Sequence, residues 1–128
     1  MSIWEQYDLG VKVLEILQNA HADDQSHHLA QPRPFLTPYQ IAIHFKKKHP
    51  QDFAAIGKGI GGKGHGEHTS FAQYVAKELS GHVKNDTMTI EGAFLYRKFL
   101  NELSYKDGAD IIESSLGTTY DLSMFRAK

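Results

Sequence analysis

The sequence contains no cysteine. Disulfides, thiolate nucleophiles and cysteine-bearing zinc sites are therefore excluded. No apolar run approaches the ~20 residues that span a bilayer. The N-terminus lacks the basic-then-apolar order of a secretory signal, so the expected compartment is the cytoplasm, with no membrane partner. No G-x-S-x-G elbow marks a nucleophilic serine, and no H-E-x-x-H marks a zinc-binding helix. There is no internal repeat. Nothing positive points to catalysis, so the expectation is a non-enzymatic protein without a cofactor.

What is present fits one globular unit. A chain of 128 residues, 41% apolar and 23% charged, suits a single domain able to bury a core. Net charge is only -1, but it is unevenly spread. Residues 37–84 hold seven lysines against three acids, a local +4, together with five of the eight histidines. The flanking stretches 1–36 and 85–128 come to -3 and -2. A basic middle between acidic ends suits an anionic partner; the alternative is a solvated face.

Helix signals recur at three places. Ser2 and Glu5 have capping-box spacing, and Ile3, Tyr7, Val11, Leu14 and Leu17 follow at helical intervals, which predicts one helix ending near Asn19. A polar connection spans residues 20–35. Its Asp23, Asp24, His27 and His28 are suitable metal ligands on a stretch with no fixed geometry. Thr37, Pro38 and Gln40 then give an N-cap, a proline at the first helical position and a capping box. This second helix turns Ile41, Ala42 and Phe45 inward and ends in Lys46, Lys47 and Lys48 before Pro50. Those lysines favour the helix dipole and are also candidate phosphate contacts. Residues 50–56 read as a short helix with Phe53 and Ile56 inward. Ser70 and Gln73 cap a third long helix reaching Lys84. Its expected buried stripe is Ala72, Val75, Ala76, Leu79 and Val83, and its polar face Gln73, Lys77, Ser80 and Lys84.

Between these helices lies a glycine-rich loop, residues 57–68, with six glycines in ten positions. Backbone so bare persists as a tether or because something must approach it closely. Gly57 and Gly62-Lys63 match most of a phosphate loop, but Gly64 stands where Ser or Thr would hold magnesium, and no strand precedes the loop. Nucleotide hydrolysis is excluded on that context. A weaker anion site remains on paper: free N–H groups at the start of the third long helix, with Lys58, Lys63, His65 and His68 just before it. His65 and His68 are also low-ranking metal candidates, needing a third ligand from elsewhere. The loop is expected to be mobile until an anion or partner orders it.

Beyond Asn85-Asp86 the reading is a short strand at 87–90, a helix over 93–103, and a hairpin turning at Lys106-Asp107-Gly108-Ala109. The C-terminal tail, residues 114–128, keeps apolar anchors at Tyr120, Leu122, Met124 and Phe125 for packing on the body or for association, a homodimer included.

The order of capped helices, polar-faced third helix, strand and hairpin resembles the winged helix-turn-helix superfamily, and in particular its bacterial restriction-linked members. The resemblance covers roughly residues 3–113. It implies a mainly α fold with a small β hairpin, in which the third helix enters a DNA groove and the hairpin serves as the wing. The implied role is DNA binding, regulatory or accessory to a DNA-processing system, through Lys46, Lys47, Lys48, Lys58, Lys63, Ser70, Gln73, Lys77 and Lys84. The long glycine-rich connection and the helix expected before the hairpin both depart from that family's pattern. A protein-interaction module, an adaptor or an inhibitor of a larger enzyme, is the alternative.

Overall fold

The computed structural model describes residues 1–22, 33–63, 69–101, 103–114 and 122–128. Within these it is a mixed α/β fold with the helices α1 (Ile3–Gln6), α2 (Leu9–Gln18), α3 (Pro38–Lys48), α4 (Pro50–Ile56) and α5 (Phe71–Asn85). The strands are β1 (Ile90–Leu95), β2 (Ser104–Asp107), β3 (Asp110–Glu113) and β4 (Leu122–Ala127).

The first predicted helix is broken in two. Asp8 adopts left-handed backbone at φ 53°, and the chain restarts at Leu9. The restart shifts the phase of the buried stripe to Leu9, Val13, Ile16 and Leu17, leaving Val11 exposed. The break lets α1 lie against α5. The Trp4 backbone N–H donates to the Tyr74 hydroxyl, and the Trp4 ring stacks on His82.

Helices α3 and α5 begin where the capping residues place them. Thr37–Gln40 and Ser70–Gln73 both close complete capping boxes. Each cap of this kind contributes about 1 kcal/mol. The two helices pack on each other through Phe45 and Phe71, whose rings lie 5.0 Å apart, with Phe53 of α4 stacked on Phe71. Full burial of each such side chain is worth roughly 1.5–3 kcal/mol. Of the expected α5 stripe, Ala72, Val75 and Leu79 are buried, Ala76 is half-buried and Val83 is exposed. The stripe is narrower because the groove described below lies along the flank that carries Ala76.

The β structure differs most from expectation. Among the described residues of 93–103 no helix forms: β1 runs through Leu95 and pairs antiparallel with β4, Gly92 facing Phe125 and Leu95 facing Leu122. Of the C-terminal tail, residues 122–127 thus form a strand, with Phe125 and Ala127 in the core. On the other edge of β4, Leu36 and Phe125 exchange two backbone hydrogen bonds of 2.8 Å. The spatial order is therefore the Leu36 segment, then β4, then β1. This layer packs on α2, α3 and α5. The mainly α expectation gives way to two antiparallel strand pairs, because β1 finds its partner far away in sequence.

The expected hairpin forms as β2–β3, in the register Ser104 to Glu113 and Asp107 to Asp110. It does not stand beside α5. It docks on α3, where Tyr105 stacks on Tyr39 at 5.1 Å and Asp107 pairs with Lys46.

Candidate nucleic-acid interface

The residues expected to bind an anion divide sharply once folded. Lys46 bonds Asp107 at 2.8 Å and lies 5.8 Å from the Phe53 ring centre. Lys48 bonds Glu15 at 2.6 Å, and that hydrogen bond with its charge holds the Glu15 carboxyl below its ordinary range. Lys47 between them is exposed. Two of the three lysines at the end of α3 therefore face carboxylates of the same chain.

The start of α5 offers no free donors to an anion, which corrects the sequence expectation. The Phe71 N–H donates to the Gly59 carbonyl at 2.8 Å, and the Ala72 N–H to the Ile60 carbonyl at 3.0 Å. The Gln73 N–H donates to the Ser70 hydroxyl, and the Gln73 side-chain oxygen accepts from the Ser70 N–H. Groups that a helix N-terminus leaves unsatisfied are thus consumed internally. Ser70 is 2% exposed and acts as a cap beneath the surface.

The same bonds show that residues 57–63 are no tether. Lys63 donates its backbone N–H to the Glu113 carbonyl, tying the loop to the hairpin. A Cβ on Gly61 would lie 2.6 Å from the Ser70 hydroxyl oxygen, and one on Gly62 only 2.5 Å from the Glu113 carbonyl oxygen. The glycines permit close approach to the protein's own backbone and cap. His65 and His68 lie outside the described residues, as do Asp23, Asp24, His27 and His28. Among the described residues no group of three His, Asp or Glu side chains is placed to hold a metal.

What the fold does bring together is a groove of about 820 Å³ along the exposed flank of α5. Its floor and one wall are Ala72, Gln73, Ala76, Lys77 and Ser80. Pro38 and Tyr39, at the start of α3, close one side, and Leu122 and Ser123 of β4 form the other. Small residues at 72 and 76 leave the space, and amide, ammonium and hydroxyl groups edge it. Lys77 is the only charged residue that lines it among the described residues. Lys58 stands at the end marked by Thr69, donating to that residue's carbonyl at 3.3 Å with its ammonium 5.9 Å from the Tyr74 ring centre. Lys84 is exposed in the last turn of the same helix.

Gln73, Lys77 and Ser80 were legible as one polar face. Tyr39, Leu122 and Ser123 were not. The β4 wall could have been suspected only from the apolar anchors in the tail. Side chains of this kind can hydrogen-bond base edges or phosphates, or the backbone of a peptide. Burial against α3 pushes the Tyr105 phenol above its ordinary pKa, and burial beside α1 does the same to Tyr74. Neither lines the groove. Among the described residues no helix is long and apolar enough to cross a membrane. No protein-family model matches the chain, and neither the curated proteins nor the solved structures contain a match to it.

Proposed function

We propose that this chain is a non-enzymatic, winged-helix-like nucleic-acid-binding protein, regulatory or accessory to a DNA-processing system. One observation carries the reading: the strand order Leu36, β4, β1 sets a two-stranded ribbon beside α5, so that β4 and the polar face of α5 wall one groove. A short strand before the second helix of the motif, then a ribbon after the third, is the layout in which a helix enters the major groove and a wing flanks it. In this arrangement α2, α3 and α5 are the three helices, and the β1–β4 ribbon is the wing. The β2–β3 hairpin, assigned as the wing from sequence, is then an insertion within it that folds back on α3. Gln73, Lys77 and Ser80 contact the nucleic acid, with Lys58 and Lys84 at the two ends.

Fluorescence anisotropy with a duplex at several salt concentrations tests this. Affinity falls steeply with salt, and Lys77→Ala weakens binding to all sequences while lowering the salt slope by about 1. Absence of binding even at low salt overturns the proposal. A second reading, a peptide-binding module, is favoured by one feature of the same groove: among the described residues it carries a single charge and three apolar lining residues, Ala72, Ala76 and Leu122. It predicts capture of a protein partner by the wild type and not by Ala76→Arg.

A further inference from the structure

Among the described residues, a run of exposed large apolar side chains lies at the far end of the ribbon. Phe94 is 72% exposed, Tyr96 68% and Phe99 90%. Three bare aromatic rings within six residues differ from Val11 or Ile111, which are exposed singly. The stretch 92–101 contains Arg97 and Lys98 and no acid. The Lys98 ammonium sits 5.3 Å from the Phe99 ring centre.

The backbone adds a second observation. The Leu100 N–H donates to the Arg97 carbonyl at 3.0 Å, closing a four-residue turn. Phe99, third in that turn, has φ 71°. Glycine or asparagine normally takes this position, because a large side chain is strained there. Here the strained backbone presents an aromatic ring to solvent, with no compensating burial. Strain held in this way clusters at binding sites.

The third observation is continuity. Phe94 faces Ser123 across the ribbon, and Leu95 faces Leu122. Those two β4 residues line the α5 groove. A strand leaving the groove along the ribbon therefore reaches Phe94 first and the Arg97–Leu100 turn next.

We propose that Phe94, Tyr96 and Phe99 form a stacking platform for unpaired bases, with Arg97 and Lys98 taking the adjoining phosphates. The proposal rests on the nucleic-acid reading above and names its substrate class: a duplex that ends in, or is interrupted by, a single-stranded stretch. Bases inside a continuous duplex have no free faces for the rings. Unpaired bases do, and each stacks without regard to sequence. The Arg97-Lys98 pair lies between Tyr96 and Phe99 in sequence, so stacking and phosphate-binding groups are within reach of one strand.

The test compares a blunt duplex with the same duplex carrying a short single-stranded overhang, using the full chain. The wild type binds the overhang DNA about tenfold more tightly. The triple variant Phe94→Ala, Tyr96→Ala, Phe99→Gly loses that preference while its blunt-duplex affinity stays within about twofold, since the rings lie outside the groove. Glycine at 99 removes the ring and the backbone strain together, so the fold is kept. In parallel, 2-aminopurine in the overhang is quenched by the wild type and not by the variant. Equal affinity for both DNAs, unchanged in the variant, overturns the platform and leaves groove binding intact. Absence of binding to either DNA overturns both. Self-association, or binding to anionic vesicles, that the triple variant abolishes, without any preference for the overhang, assigns the patch to a second copy or a lipid surface and also overturns the platform.

Discussion

Two basic stretches of this chain keep very different company. Lys46–Lys48, at the end of α3, give the densest positive run in the sequence, yet two of the three are bonded to Asp107 and Glu15. Arg97 and Lys98 are only a pair, set in sequence between Tyr96 and Phe99, whose rings are exposed. For the α3 lysines the fold delivers the carboxylates. Asp107 arrives on a hairpin 61 residues away, and Glu15 from a helix 33 residues earlier. A charge run in sequence measures the cations supplied, and tertiary structure decides how many remain for a ligand.

The strongest way to break the comparison is to unseat the hairpin. Gly62 has φ 99°, and its added Cβ would collide with the Glu113 carbonyl oxygen. Gly62→Ala therefore costs on the order of 3 kcal/mol, because both the backbone conformation and the space forbid it. Urea unfolding measures this. A loss under about 1 kcal/mol would mean that the hairpin is not held on the α4–α5 turn as described.

A gentler change is Asp107→Asn, which leaves the hairpin in place and releases the Lys46 charge. Lys46 is 42% exposed and Asp107 10%, so the pair contributes about 1 kcal/mol after screening. The variant is destabilised by that amount, and under the proposed nucleic-acid reading its low-salt affinity for duplex DNA rises about two- to threefold as one more cation becomes available. Unchanged affinity would show that the end of α3 lies outside the footprint even with its charge restored.

The smallest effect concerns Glu15 and Lys48. The Lys48 hydrogen bond and charge lower the folded-state pKa of Glu15 below its unfolded value of 4.5. A depressed carboxylate stabilises the fold above that value, and the contribution fades as pH falls through the folded pKa. Glu15→Gln should therefore be slightly less stable than wild type at neutral pH, and the gap should close in acid below 4.5. Thermal melts across that range read it. A gap that widens toward low pH would contradict the sign.

Local signals carried the helices well. Thr37-Pro38-Tyr39-Gln40 and Ser70-Phe71-Ala72-Gln73 place the starts of α3 and α5, because a capping box is written within four residues. Gly108 and its neighbours mark the β2–β3 turn for the same reason. The first helix was misread at Asp8, where nothing local announces left-handed backbone; the break follows from seating Trp4 against α5. Residues 93–103 were misread because Phe94, Leu95, Phe99 and Leu100 imitate helical spacing. Their apolar groups are not a buried stripe at all: Phe94, Phe99 and Leu100 face solvent.

The sequence by itself determined the capped helices, the polar face of α5, the hairpin turn and the absence of cysteine chemistry. Each depends on residues a few positions apart, where backbone and side chain compete directly. Only the tertiary structure decided that β4 walls the groove, that α5's first N–H groups are already bonded, and that Lys46 and Lys48 are paired. Those outcomes join segments as little as 12 and as much as 83 residues apart, such as Gly59 with Phe71 and Leu122 with Tyr39. The loops between such segments must close at an entropic cost, and only the summed packing of the core offsets it.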